Sequence, residues 1–81
     1  MIVQDDVQTV RVGSRVRFQD LEGEADISLV RADEADPFTS LVSAESPLGR
    51  ALQGRSVGDR VIFRAPGGAR EVTVLSIRPI S

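Results

Sequence analysis

Ser46-Pro47-Leu48-Gly49-Arg50-Ala51-Leu52-Gln53-Gly54 is the stretch of this chain that reads as a helix, and it carries its own start and stop. The Ser46 hydroxyl is suited to accept from the N–H groups that a first helical turn leaves unpaired. Proline at the first helical position loses nothing, because its missing N–H would have no partner there. Leu48 and Leu52 are four apart and share a face, with Ala51 beside them. Gly54 stands where a left-handed residue closes a helix. Two turns of helix do not hold in water on their own, since so short a segment does not offset the cost of nucleation. The helix therefore needs an apolar surface to pack on, and the rest of the chain must supply it.

Outside this stretch the dominant period is two. Val10, Val12, Val16 and Phe18 fall on one face of an extended segment, with Arg11, Arg15 and Arg17 on the other and Gly13-Ser14 marking a bend or bulge. Leu21 to Asp26 reads as a turn around Gly23, and Ile27 and Leu29 alternate with Ser28 and Val30 in a second strand. Residues 32–38, polar and proline-bearing, form a loop, and Leu41 to Glu45 a short third strand. Gly58-Asp59 is a turn, and Val61, Ile62 and Phe63 make a fourth strand. Pro66-Gly67-Gly68 signals a hairpin that leads into a fifth strand over Glu71 to Ile77. In that strand the alternation places Val72 and Val74 on one side, with Thr73, Leu75 and Ile77 on the other. The sum is an α+β domain: a curved antiparallel β-sheet of about five strands wrapped around one short α-helix. Residues 1–9 carry the least pattern and read as a linker or N-terminal tail, leaving 10–81 as the domain.

Composition removes several kinds of chemistry. The 81 residues contain no cysteine and no histidine. Thiolate metal sites, disulfides and the usual general base are therefore excluded, and with them Ser–His and Cys–His nucleophilic pairs. There is no lysine to complete a phosphate-binding loop, and Gly67-Gly68 is a turn. No apolar run approaches the roughly 20 residues needed to cross a bilayer. No signal peptide is visible, so a soluble cytoplasmic protein is expected. With those nucleophilic pairs excluded, the expectation is a protein that is not an enzyme, with no catalytic residue, metal or cofactor. Asp33, Glu34 and Asp36 offer oxygen ligands but lack the spacing of a calcium loop; they read as a charged loop whose carboxylates cap nearby N–H groups.

Charge is unevenly placed. Seven carboxylates between Asp20 and Asp36 face one arginine, whereas Arg50 to Ser81 holds six arginines against Asp59 and Glu71. Such a split suggests surfaces of opposite sign that orient a partner, or simply solvated faces. Direct nucleic-acid binding is not expected. The net charge is −2, there is no tryptophan or tyrosine, and only three phenylalanines are present. Two of them, Phe18 and Phe63, fall at core-facing positions, and stacking on single strands needs exposed aromatics.

Six short motifs occur in order: VGSRV at Val12–Val16, DEAD at Asp33–Asp36, SPLGRALQG at Ser46–Gly54, VGD at Val57–Asp59, APGG at Ala65–Gly68 and VLSI at Val74–Ile77. No single piece is specific, but together and in register they closely resemble the C-terminal domain of the GreA and GreB transcript-cleavage factors, over residues 10–78. The resemblance implies an FKBP-like fold. It also implies a docking module for RNA polymerase that grips a coiled coil of the β′ subunit at the rim of the secondary channel. In that family a separate N-terminal coiled coil carries the acidic tip that stimulates transcript cleavage. This chain shows no such helical pair, so stimulation is not expected of it, and it is not transferred to Asp33, Glu34 or Asp36. The resemblance places the docking surface on Glu45, Ser46, Pro47 and Leu48, with Arg50 at the rim. Against this stands the plainer reading that Ser46 and Pro47 only start the helix and Leu48 only packs. Gly49 stands where the family leads one to expect alanine; it costs roughly 1 kcal/mol of helix propensity and should flatter the local surface.

Two other readings remain open. The fold is also suited to an interaction domain whose partner is not polymerase. An FKBP-type prolyl isomerase would need an aromatic-lined pocket, which this composition scarcely allows.

Overall fold

A computed structural model describes residues 9–80. Five strands, β1 (Ser14–Asp20), β2 (Gly23–Val30), β3 (Leu41–Ser43), β4 (Arg60–Ala65) and β5 (Gly68–Pro79), form one sheet in the order β3-β2-β1-β5-β4. Among the described residues one α-helix, α1 (Pro47–Leu52), packs chiefly on β4 and β3. Ten buried side chains fill the space between helix and sheet, among them Val10, Val16, Phe18, Leu29, Leu52, Val61, Val72 and Val74. The sheet thus supplies the apolar surface that so short a helix requires. The expected tail over residues 1–9 lies, apart from Thr9, outside the described residues.

The α+β class, the five strands and the short helix are as the sequence predicts, but the sheet is mixed. β1–β2, β1–β5 and β4–β5 are antiparallel, whereas β3 runs parallel to β2, with Ser28 opposite Leu41 and Val30 opposite Ser43. Parallel neighbours ordinarily need a crossover of a dozen or more residues. Here residues 31–40 suffice, because β3 joins only the last three positions of β2. A 3-10 turn at Ala32–Glu34 and a hairpin-like bridge from Asp36 to Leu41 fold the connection back on itself.

Several local readings change; β3, for one, ends at Ser43 and does not reach Glu45. The turn after β1 is only Leu21-Glu22, and β2 begins already at Gly23, whose φ of +134° suits glycine. The alternation of β1 holds from Ser14 onward, but Val12 is 44% exposed instead of core-facing. A tight turn intervenes: Ser14 N–H donates to the Arg11 carbonyl at 2.9 Å, and Gly13 adopts φ +98°. Val10 is nonetheless buried, because its backbone pairs with Gly54 and Arg55 just past the helix at 2.8 and 2.9 Å. In β5, Ile77 is buried on the same side as Val72 and Val74. The register slips between Arg17 and Phe18: Arg17 pairs with Ser76 and Phe18 with Val74, leaving Leu75 as the extra residue of a β-bulge. The bulge resets the phase of β5 and bends it, which lets the sheet curl over α1.

Candidate functional site

The five residues singled out from the sequence lie at one corner, where β3 ends and α1 begins. The corner is built from backbone. The Ser43 carbonyl accepts from the Ser46 N–H at 3.1 Å and from the Ser46 hydroxyl at 2.7 Å. The same hydroxyl oxygen accepts from the Gly49 N–H at 3.0 Å, capping the first turn. The Ser43 hydroxyl accepts from the Glu45 N–H at 3.0 Å. Gln53, at the other end of the helix, donates its side-chain amide to the Ala44 carbonyl at 3.0 Å. These bonds brace the corner: the two made by the Ser46 hydroxyl are partly buried, and those from the Glu45 N–H and the Gln53 amide lie at the surface.

The five residues divide by direction. Ser46 is used internally, since its hydroxyl both donates and accepts within the corner. Leu48 is half-buried and packs against the core cluster. Glu45, Pro47 and Arg50 are exposed. Among the described residues neither the Glu45 carboxylate nor the Arg50 guanidinium forms an ion pair. The outward face is therefore an unpaired anion, a rigid apolar ring and an unpaired cation.

Gly49 does not flatten that surface. It is buried on the inner side of the helix, and a β-carbon there would overlap the Ser43 carbonyl oxygen and come within 2.9 Å of the Ala44 α-carbon. Glycine is what allows the helix to approach the end of β3 so closely. Sequence reasoning also missed the neighbours of the corner. Val12, Arg31, Ala32, Asp33 and Ala44 line a shallow depression of about 490 Å³ that Glu45 borders. They come together only through the β2–β3 pairing and the turn at Gly13. That glycine, out of step with the alternation around it, is the one local sign.

Elsewhere the charged groups are mostly satisfied. Arg17 reaches Glu24 at 3.1 Å and Asp26 at 3.2 Å, and Arg15 lies 3.9 Å from Asp26. Asp20 meets Arg70 at 3.3 Å. These contacts pair three of the seven carboxylates between Asp20 and Asp36, two within the β1–β2 hairpin and one across to β5. In the acidic loop, Asp33 and Glu34 lean on Arg31 at 3.6 and 3.7 Å, and Asp36 accepts from the Phe38 N–H at 2.9 Å. No group of three or more acidic side chains is placed to hold a metal ion among the described residues. Phe18 is buried, Phe63 half-buried against the core, and Phe38 stands alone in the loop at 93% exposure. No helix among the described residues is long and apolar enough to cross a membrane.

Comparison with known proteins bears on the fold and the family. Residues 4–79 match the family model described as transcription elongation factor GreA/GreB, C-terminal. The transcription elongation factor GreA of Shouchella clausii is 39% identical over 75 residues, covering 90% of this chain and 48% of the relative. That of Clostridium perfringens is 44% identical over 71 residues, covering 85% and 45%. Among solved structures, GreA factor homolog 1 of Thermus thermophilus is similar with a TM-score of 0.76 at 31% identity, covering 96% of this chain and 54% of that one. A GreA/GreB elongation factor from Nitrosomonas europaea is similar with a TM-score of 0.73 at 26% identity, covering 95% of this chain and 68% of that one. The chain spans about half the length of the curated relatives it matches. With the family model covering nearly all of it, and the folds agreeing over the same span, this chain belongs to the GreA/GreB family of transcription elongation factors, to which it corresponds as the C-terminal domain.

Proposed function

We propose that this domain docks on RNA polymerase, on the β′ coiled coil at the rim of the secondary channel, through the β3–α1 corner. The observation that carries the reading is the outward face of that corner, with Glu45, Pro47 and Arg50 exposed on a backbone locked by Ser43 and Ser46. A rigid apolar contact between two unpaired charges of opposite sign suits a helical partner that carries both signs along its surface. Such contacts fix orientation and cost little ordering entropy on binding. The chain acts as a binding module, with no catalytic residue of its own and no cofactor. Cleavage stimulation does not belong to this domain. The setting is the bacterial cytoplasm, where polymerase resides.

The test is a titration of the chain against the isolated β′ coiled coil, followed residue by residue by NMR. Shifts clustered on Glu45 to Arg50 are expected. Leu48 packs against the core, so the informative variants are the exposed positions Glu45→Arg, Pro47→Ala and Arg50→Glu. Each should weaken binding while the spectrum stays folded. Binding unchanged in all three variants, or no binding at high micromolar concentration, would remove the corner as the docking face. Only the second outcome, no binding at all, would point to a partner other than polymerase.

A further inference from the structure

At the far end of the sheet from the β3–α1 corner, β5 outruns its neighbour. Its pairing with β4 extends from Gly68 to Thr73, but its pairing with β1 begins only at Thr73, opposite Gln19. Residues 68–72 therefore have a strand on one side alone. β1 ends at Asp20 and turns through Leu21-Glu22 into β2. Alternate residues of an antiparallel strand direct their N–H and C=O to opposite sides. About half of the backbone groups of this stretch therefore face β4, and the rest face a side where, among the described residues, no strand sits.

A groove of about 700 Å³ runs along that open side, between Ala69, Arg70 and Glu71 of β5 and Asp20, Leu21 and Glu22 of the hairpin. Its lining comes from both faces of the sheet. Arg70 and Asp20 share the parity of the buried Val72 and Phe18, whereas Ala69 and Glu71 share that of the outward Thr73. A groove walled by both parities is centred on the strand edge itself. Its chemistry is also biased. Three carboxylates (Asp20, Glu22, Glu71) meet two arginines, Arg70 at 3.3 Å from Asp20 and Arg60 at 3.8 Å from Glu71. Glu22 has no ion-pair partner among the described residues, and Leu21 beside it is fully exposed.

We propose that the open edge of β5 is a second interaction site, which takes an extended basic peptide segment as an added strand. The peptide backbone pairs with the free N–H and C=O groups of Gly68–Val72; an apolar side chain covers Leu21, and an arginine or lysine meets Glu22. Main-chain pairing supplies the affinity of such additions, and alternate side chains supply the specificity. The eight residues of β2 separate this groove from the docking corner by about 23 Å, at about 3.3 Å per residue, so the two sites are independent and this one does not rest on the polymerase reading.

The probe is a capped peptide alternating valine and arginine, with a valine–glutamate peptide as control, titrated into the full 81-residue chain. NMR shifts and amide hydrogen exchange are the readouts. The expected result is slowed exchange and shifts confined to Leu21–Glu22 and Gly68–Thr73. Binding should be weaker by about tenfold or more for the glutamate peptide and for Glu22→Lys, where like charges meet. Glu22 lies in an exposed turn, so that variant keeps the fold. Ala69→Pro, which removes an edge N–H, should also weaken binding. Equal affinity for both peptides, an unchanged Glu22→Lys variant, or shifts elsewhere overturns the proposal, as does no shift at millimolar peptide. Concentration-dependent broadening of these amides without peptide would identify a second copy of the chain as the occupant, and overturns it too.

Discussion

The carbonyl oxygen of Ser43 occupies the place where a β-carbon on residue 49 would fall. Helix α1 therefore sits on the end of β3 at a distance that only glycine permits, and the exposed corner inherits its geometry from that contact.

Substitution of Gly49 by alanine sets two effects against each other. Alanine gains about 1 kcal/mol of helix propensity. It also forces backbone against backbone, and overpacking typically costs about 1–3 kcal/mol. The obstructing atoms belong to the Ser43 and Ala44 main chain and cannot swing aside as a flexible side chain would. Gly49→Ala should therefore destabilise the domain in urea unfolding; a gain in stability would show that the corner relaxes freely.

Ser46→Ala removes a cap whose oxygen accepts from Gly49 and whose proton goes to Ser43. The expected loss is about 1–2 kcal/mol. Ser46→Asp keeps the acceptor and loses the donor, and should fall between alanine and the native residue in thermal melts.

Leu52 is fully buried at the centre of the cluster. Leu52→Ala should cost about 2–5 kcal/mol. In a domain this small that approaches the whole stability, so the variant should show collapsed amide dispersion at room temperature.

Arg17→Gln cuts two ion pairs at once, yet the arginine side chain and Glu24 are nearly half exposed. The loss should stay below about 1 kcal/mol and shrink further at high salt. A large, salt-insensitive effect would mean that the hairpin depends on this charge cluster far more than its exposure suggests.

Much of the architecture is written locally. Ser46, Pro47 and Gly54 mark the ends of α1 through groups that act within a few residues of themselves, and Pro66-Gly67-Gly68 makes its hairpin the same way. The alternation of Val16 and Phe18 with Arg15 and Arg17 states which face of β1 is inside. The helix start within the candidate corner is legible for the same reason, whereas its reading as a docking face came from the family resemblance.

What depended on tertiary structure is whatever requires two distant segments to meet. The bulge at Leu75 exists only against β1, and it alone carries Ile77 to the core side. The parallel course of β3 depends on where residues 31–40 bring the chain back along β2. The burial of Gly49 depends on Ser43 arriving beneath it, which helix propensity says nothing about. Local propensities and turn chemistry act through neighbouring dihedrals and are carried by the residue types themselves. Register, close approach and the open edge of β5 are set by the competition of whole strands for partners, and are decided only when the sheet closes over the helix.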